Sequence, residues 1–219
     1  RYGTVTGVQT CALPIFYDPI QYVNRGGPGF QYTYPLNFPS GTLLGMEVES
    51  RVTLDPLLGE EWKGLGLGAN FTWMTSSVNL PTSPIDFNGE QIAYGAGNGT
   101  QQMVGMPEFL VNLNATYDVE PLGTQLGIFY SWKGESLVSA SFVESGQLTP
   151  DIYQQPYGTL NVTVSQKIIG GLNCMFNAKN LLNPTITTVY KAPGAANMVN
   201  SSYSSGVTMS LALVYQVEF

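Results

Sequence analysis

Residues 207–219, the last thirteen of the chain, read V-T-M-S-L-A-L-V-Y-Q-V-E-F. The odd-numbered positions are apolar or aromatic, whereas the even-numbered positions include Thr208, Ser210 and Glu218. Because successive side chains of a strand point to opposite faces, this period of two predicts a strand with one apolar face and one more polar face. Its length exceeds the roughly 9 to 11 residues that a tilted strand needs to cross a bilayer. A single alternating segment also suits a soluble sandwich, so its recurrence decides the fold class.

The composition is poor in charge, since 11% of the 219 residues are charged and 12% are aromatic. No run approaches the roughly 18 apolar residues of a transmembrane helix, which leaves a β-barrel as the route into a membrane. The net charge of −7 argues against nucleic acid as a partner. The absence of histidine removes the common serine and cysteine triads and histidine metal sites. We therefore expect no catalytic residue, no metal site and no cofactor.

The alternation recurs along the chain. It is found in residues 16–24, 44–54, 65–73 with an extension to about 79, 109–117, 122–132, 160–168 and 172–180, besides 207–219. In the segments from residue 44 onwards the charged residues all fall on the polar phase, namely Glu47, Glu49, Arg51, Lys167, Lys179 and Glu218. A charge that faces lipid costs about 2 to 4 kcal/mol at the membrane midplane. The pattern therefore predicts about eight antiparallel transmembrane strands.

The predicted connections alternate between short and long. Residues 55–61, 118–121 and 169–171 are tight turns, whereas 25–40, 80–106, 134–156 and 183–205 are predicted to be extended loops. Outer-membrane barrels have short periplasmic turns and long extracellular loops, so we expect the C-terminus on the periplasmic side. Aromatic residues at the strand ends suit the two interfacial girdles, with Trp73, Tyr130 and Trp132 on the outer side and Trp62 and Tyr117 near the turns.

The first fifteen residues do not fit this pattern. Residues 5–15, V-T-G-V-Q-T-C-A-L-P-I, resemble the in-frame translation of a sequencing-adapter oligonucleotide. We therefore predict that residues 1–15 are non-native and lie outside the strand pattern. The native part of the chain is then residues 16–219. Cys11 falls in the adapter-like segment, so we expect no disulfide between Cys11 and Cys174.

Several short motifs of the chain carry a resemblance to one protein family. They are Gly45-Met46-Glu47-Val48-Glu49, Asn70-Phe71-Thr72-Trp73, Met106-Pro107-Glu108-Phe109, Asn180-Leu181-Leu182-Asn183-Pro184 and the terminal Val217-Glu218-Phe219. In this order they resemble the C-terminal barrel of TonB-dependent outer-membrane receptors. Barrels of that family have 22 strands around a plug, so the resemblance implies that the chain is the last part of a larger all-β, antiparallel transmembrane barrel. The plug and the segment that contacts TonB are missing from it.

The resemblance implies a function in transport at the Gram-negative outer membrane and no catalysis. The family takes up scarce, bulky solutes such as iron-siderophores, cobalamin or glycans, driven by the TonB complex through the plug. The particular solute, and the residues that bind it, are unknown from the sequence. The resemblance also implies that the barrel-assembly machinery reads a C-terminal aromatic residue preceded by alternating apolar ones. The positions that match this signal are Leu211, Leu213, Tyr215, Val217 and Phe219.

Other interpretations remain open at this point. A complete small barrel of about eight strands with a structural or adhesive role has the right strand count. An outer-membrane hydrolase lacks a histidine base, and a soluble binding sandwich would carry more charge on its outer face. Glu47, Glu49 and Arg51 suit a lumenal polar network better than a cation site. The tyrosines of the loops suit a ligand surface and an aromatic girdle equally well; they are Tyr32, Tyr34, Tyr190 and Tyr203.

Overall fold

The computed structural model describes residues 6–27, 30–81, 92–94, 99–144 and 147–215, which are almost entirely antiparallel strands. Helical structure in these ranges is confined to α1, Asp55–Leu58, and to the 3₁₀ turns Glu60–Trp62 and Glu120–Leu122. No helix of the described ranges has the length and hydropathy to span a membrane. The strands are β1 Thr6–Ala12, β2 Ile15–Tyr17, β3 Ile20–Gly27, β4 Phe30–Asn37, β5 Ser40–Thr53, β6 Leu65–Asn79, β7 Ile92–Tyr94, β8 Thr100–Gln101, β9 Phe109–Val119, β10 Thr124–Lys133, β11 Ser136–Ser139, β12 Phe142–Glu144, β13 Gln147–Thr149, β14 Asp151–Gln154, β15 Tyr157–Ile169, β16 Leu172–Lys179, β17 Ile186–Lys191, β18 Met198–Tyr203 and β19 Thr208–Tyr215.

The largest sheet is a wall of eight strands in the order β1, β5, β6, β9, β10, β15, β16 and β19. All neighbours along this order are antiparallel, while the short β2 and β8 add to β5 and β6. The expected count of about eight strands is confirmed. In the described residues the sheet is open, because its two outermost strands, β1 and β19, are not paired with each other.

The register of the wall places the predicted apolar phase of every strand from β5 onwards on one face. A single row of register partners runs across it through Val52, Leu67, Ala115, Ile128, Val162, Ala178 and Met209. A slip of one residue at any strand would move that strand's apolar side chains to the opposite face. The seven strands therefore keep the register that the alternation predicts.

The first wall strand differs from the prediction. The sequence pattern puts it at residues 16–24, but β1 lies against β5 with seven register pairs, from Thr6 with Arg51 to Ala12 with Gly45. After a break at Leu13 and Pro14, β2 continues along the same edge of β5. The prediction that residues 1–15 lie outside the strand pattern is thus wrong for residues 6–12 and for Ile15, which opens β2. The fourteen-residue β5 has backbone groups along this edge that need partners, and β1 supplies them.

The predicted turns are present, with shifted boundaries. Leu122, predicted to open a strand, lies in the 3₁₀ turn Glu120–Leu122, and β10 begins only at Thr124. Gly123 between them has a φ of 62°, a left-handed conformation that glycine adopts without strain. β9 accordingly extends to Val119, two residues beyond the predicted end.

The long connections contain strands where the sequence predicts loops. Residues 25–40 include β4, residues 134–156 include β11 to β14, and residues 183–205 include β17 and β18. These strands form three small sheets, which are β3 with β4, β11 with β14, β17 and β18, and β7 with β12 and β13. Pro35 is accommodated in β4 because a two-stranded sheet consists only of edge strands, and edge strands tolerate proline. We call the described residues of 18–39, 80–108, 134–156 and 180–206 the cap.

The cap packs on the polar face of the wall. Its buried cluster joins Val23 and Phe38 to Val78 and Leu80, with Met103 packed against them. Val78 is the register partner of Gly41, and both residues lie in the polar phase of their strands. A Cβ on Gly41 would lie 3.2 Å from the Met103 methyl carbon and 3.3 Å from Val78. The cap therefore leans over the face that lines the lumen of a barrel and leaves the apolar face open.

Candidate functional site

The apolar face of the wall is exposed in the chain. Leu67, Leu113 and Ile128 in its middle are 42%, 46% and 39% exposed, although they are large aliphatic residues. Exposed apolar surface of this extent on a soluble monomer would mark an interaction site. The apolar face also has aromatic residues near both of its ends, which is typical of the lipid-facing band of a barrel. Trp73 and Phe109 are register partners towards the cap end, and Leu65 and Tyr117 are partners at the turn end.

The polar face carries the residues that sequence reasoning assigned to a lumenal network. The Arg51 Nε lies 2.7 Å from the Glu49 Oε1, and the Asn70 Nδ2 donates to the Glu47 Oε1 at 2.5 Å. On the next strands, Ser131 donates to the Asn112 Oδ1 at 2.8 Å. The first pair lies along β5, and the other two pairs cross to a neighbouring strand. The arrangement is a structural network and does not converge on a ligand site.

The charged residues that the structure adds to the wall obey the same rule. Asp118 in β9 pairs in register with Gln125, and Lys133 in β10 pairs with Leu110, so both lie in the polar phase. Within the described residues no group of three or more cysteine and acidic side chains is arranged to hold a metal ion. Cys11 and Cys174 are both free thiols, as expected.

The predicted assembly residues lie on the last strand of the wall. Leu211, Leu213 and Tyr215 pair with Phe176, Cys174 and Leu172, and so share the apolar face. The two leucines are each 70% exposed, because in the described residues nothing pairs with the outer edge of β19. Val217 and Phe219 lie outside the described residues. The odd-numbered residues of 208–215 thus share the apolar face, as predicted, whereas the contact of that face with lipid stays a prediction.

The motif Asn180-Leu181-Leu182-Asn183-Pro184 turns the chain at the end of β16. Asn180 and Asn183 have left-handed backbone conformations, with φ of 59° and 42°, which asparagine tolerates better than most residues. The backbone N–H of Asn183 donates to the backbone carbonyl oxygen of Asn180 at 2.9 Å. These two asparagines build a tight turn directly above the wall.

The same two side chains bind the residues that lead into β19. The Asn183 Oδ1 accepts the backbone N–H of Gly206 at 3.0 Å and also the hydroxyl of Ser204. The Asn180 Nδ2 donates to the Gly206 carbonyl oxygen at 2.8 Å, and its backbone N–H is bound by the Asn161 Oδ1 at 2.9 Å. Gly206 is therefore held from both sides, two residues before Thr208 opens the last strand. We call this arrangement the asparagine clamp.

The cap is joined across its segments by backbone hydrogen bonds. Ala140 donates its N–H to the Tyr22 carbonyl oxygen at 3.0 Å, and Gly105 donates to that of Leu137 at 2.8 Å. Gln21, which is 1% exposed, accepts the Val104 N–H through its Oε1 at 2.8 Å. These bonds join three connections that are far apart in the sequence. The cap is consequently a packed unit with its own hydrogen bonds, and its core also includes Val78 of the wall.

A half-buried charged cluster lies in the four-stranded sheet of the cap. The Lys191 Nζ is 2.6 and 2.7 Å from the two carboxylate oxygens of Glu135 and 4.7 Å from the centre of the Tyr153 ring. Gln155 donates to the Glu135 Oε2 at 2.8 Å. Both charges are about one-third exposed, so the pair is only partly screened by water.

Burial also affects two acidic groups of this sheet. Desolvation raises the pKa of the Asp151 carboxyl, and the N–H of Ser141, bound at 2.5 Å, offsets part of this increase. Desolvation, followed by repulsion from Asp151, Glu135 and Glu108, raises the pKa of the Tyr153 hydroxyl to about 12. The Tyr153 hydroxyl is therefore protonated at neutral pH.

The tyrosines with two open interpretations all lie in the cap. The rings of Tyr32 and Tyr34 are 6.1 Å apart in β4, and Tyr34 packs against the buried cluster. Tyr190 is half-buried in β17, whereas Tyr203 at the end of β18 is 55% exposed. Their position above the wall separates them from its apolar face. Tyr32 and Tyr203 are the two of this group with the most ring surface available to solvent.

Sequence reasoning missed the cluster of Glu135, Asp151, Tyr153 and Lys191. All four lie in segments predicted to be loops, and Glu135 and Lys191 are 56 residues apart. Gln21 was missed because no local pattern marks a glutamine that binds a distant backbone group. For Glu135, Asp151 and Lys191 one signal was available: charged side chains make up only 11% of the chain, so three of them in predicted loops mark a candidate cluster.

The comparisons with known proteins agree with this geometry. The family model described as TonB dependent receptor-like, beta-barrel, matches residues 15–181. Searches of the curated proteins and of the solved structures found no match. The matched range contains the wall strands β5, β6, β9, β10, β15 and β16, whose apolar phase lies on one face, and it includes most of the cap. The chain belongs to the TonB-dependent receptor-like β-barrel family, a transporter family of the Gram-negative outer membrane.

Proposed function

We propose that this chain forms the C-terminal part of a receptor that imports a scarce, bulky solute across the outer membrane with energy from the TonB complex. The solute class is an iron-siderophore, cobalamin or a glycan. The observation that carries this proposal is the cap, which leans over the polar face of the wall and presents tyrosines and a charged cluster above it. A solute that entered the lumen would pass this surface first. The wall and cap would supply the channel and its entrance, and a plug outside this chain would gate it.

The test is uptake by the source bacterium with and without the gene. Radiolabelled ferric siderophores, cobalamin and oligosaccharides are supplied in turn, and each uptake is repeated in a strain that lacks TonB. We expect uptake of one class to fall at least tenfold in both strains. If the deletion strain took up all three classes as well as the parent strain does, or if the affected uptake persisted without TonB, the proposal would be refuted.

We also propose that Leu211, Leu213, Tyr215, Val217 and Phe219 form the signal read by the barrel-assembly machinery. Support comes from the three described members, which lie in one exposed line along the outermost strand of the wall. An assembly factor could reach that line before the barrel closes. The alternative of a complete small barrel gains no support, because the described sheet is open between β1 and β19. The non-native origin of residues 1–15 stays a prediction, which the upstream reading frame of the source genome would test.

A further inference from the structure

An apolar groove opens on the lipid-facing side of the wall, at the turn end. It has a volume of about 600 Å³, within the range of ~300 to 1,000 Å³ that is usual for ligand sites. Its lining consists of Trp62, Leu65, Ala115, Thr116, Tyr117, Leu126 and Ile128. Ala115 creates the depression, because its register partners Leu67 and Ile128 are both larger. Trp62, from the 3₁₀ turn between β5 and β6, forms an aromatic side of the groove.

A second, polar groove meets the apolar one at Tyr117. Its volume is about 380 Å³, and its lining is Glu60, Lys63, Gly64, Tyr117, Asp118, Val119, Glu120 and Pro121. It lies between the turn that joins β5 to β6 and the turn that joins β9 to β10, where the Asp118 N–H binds the Gly64 carbonyl oxygen at 2.9 Å. An apolar groove that continues into a charged one fits a ligand with an acyl chain and a head group. The membrane next to this face consists of such molecules.

The charges of the polar groove select among head groups. Lys63 supplies one cation, and Glu60, Asp118 and Glu120 supply three carboxylates. The Lys63 Nζ lies 3.7 Å from the Glu120 Oε2, and both side chains are mostly exposed. A pair this long and exposed is weak, so Lys63 is able to bind a phosphate instead. The excess of carboxylates disfavours an anionic head group but attracts a cationic one.

We propose that this amphipathic groove binds a single zwitterionic phospholipid with a primary amine in its head group. The acyl chain lies over Ala115 between Trp62 and Leu126, the phosphate binds Lys63, and the ammonium donates to the carboxylates beside it. A quaternary amine lacks N–H donors and cannot make those charge-assisted hydrogen bonds. The inference uses the membrane position of the apolar face and does not depend on the transported solute.

The test uses the protein in the full length that its gene encodes, with Trp62 as the only tryptophan near the lipid: Trp73 and Trp132 are changed to phenylalanine, as are any tryptophans outside this chain. The protein is reconstituted into phosphatidylcholine vesicles that contain brominated phosphatidylethanolamine, phosphatidylcholine or phosphatidylglycerol. Bromine quenches tryptophan fluorescence on contact. We expect phosphatidylethanolamine to give half-maximal quenching at a mole fraction about threefold below that of the other two lipids. Equal quenching by the three lipids, or stronger quenching by phosphatidylglycerol, would overturn the proposal.

Substitutions separate the two parts of the groove. Glu120→Gln should reduce the threefold preference to less than 1.5-fold, because the carboxylates bind the ammonium. Lys63→Gln and Ala115→Leu should each weaken quenching by all three lipids, because all three have a phosphate and acyl chains. Ala69→Leu is the matched control, because Ala69 lies on the same face, in register with Leu113, and does not line the groove. A preference that survives Glu120→Gln, or quenching that Ala69→Leu weakens as much as Ala115→Leu does, would refute the assignment. Heat-modifiability on gels shows that each variant is folded.

Discussion

The asparagine clamp is expected to set the register of the last wall strand, and Asn183→Ala is the substitution that tests it. The change removes the acceptor of the Gly206 N–H and of the Ser204 hydroxyl. It also places alanine at a φ of 42°. The first strand residue, Thr208, follows Gly206 by only two positions, so loosening of Gly206 should reach the pairing of Thr208 with Lys179.

The magnitude follows from two contributions. An ordinary residue in the left-handed region costs roughly 1 to 2 kcal/mol, and each lost hydrogen bond costs about 0.5 to 1.5 kcal/mol. Because Asn183 is exposed, water replaces part of the lost bonds and the lower values apply. The local free energy of opening should therefore fall by about 2 kcal/mol, which increases the open population about 30-fold. Asn183→Gly should lose about half of this, and Asn183→Asp, which keeps the acceptor, very little.

Two assays measure the effect in the protein in the full length that its gene encodes. Amide hydrogen exchange should become about 30-fold faster at residues 204–208 in Asn183→Ala, with β9 and β10 unchanged. In a background without Cys11 and Cys174, the register pair Asn177 and Ser210 is replaced by cysteines, and so is the pair Asn177 and Ala212, which reports a two-residue slip. The alanine variant should form some of the slipped disulfide. Unchanged exchange together with exclusive native cross-linking would show that the clamp does not hold the strand.

Three other outcomes are expected. Deletion of Phe219 should reduce the amount of protein in the outer membrane severalfold while the inserted molecules keep normal heat-modifiability, and unchanged surface levels would contradict the assembly role. Leu113→Lys on the apolar face should cost about 2 to 4 kcal/mol near the midplane, whereas the adjacent Asn112→Lys on the polar face should be tolerated in urea-unfolding measurements in lipid. Because the pKa of Asp151 is raised in the folded cap, the stability that its neutral carboxyl contributes is lost as pH rises above the ordinary value of 3.8. Asp151→Asn should therefore increase the resistance of residues 134–156 to limited proteolysis more at pH 7 than at pH 4, with the unchanged protein at the same pH as the reference. An equal increase at both pH values would contradict this.

The wall was predictable because its strands are long and their two faces lie in different environments, one apolar and one polar. In β9, for example, Phe109, Val111 and Leu113 alternate with Asn112 and Asn114, and a register shift of one residue would expose the asparagines to lipid. That penalty ties the sequence pattern directly to the observed pairing. It is larger still for a charged side chain, which explains why the charged residues of these strands follow the polar phase so strictly.

The cap was not predictable by the same means. Its strands have as few as three residues, too few for a period of two to be visible, and Pro35 in β4 argues against a strand. Its core joins Val23 and Val78, and its ion pair joins Glu135 and Lys191, so the stabilising contacts are distant in sequence. The motif at residues 180–184 was recognised from its sequence, but its hydrogen-bond partner Gly206 was not predicted. The first wall strand was misplaced because an edge of β5 can be completed by a segment without clear alternation.

The seam between the cap segments has a consequence for how this protein can diverge. Ala140 to Tyr22 and Gly105 to Leu137 are bonds between main-chain atoms, which every residue except proline can donate and every residue can accept. Leu137 and Ala140 are buried and Gly105 has a φ of 81°, so these three positions are restricted. The exposed side chain of Tyr22 can be replaced without loss of the seam. Because the seam itself uses main-chain atoms, related bacteria could change exposed cap side chains such as Tyr22 and Tyr203, and so present different surfaces to phages or antibodies, on an unchanged cap backbone. Gln21 is the exception, because its side chain makes the bond, and we expect that lineages which lose it also alter residues 103–105.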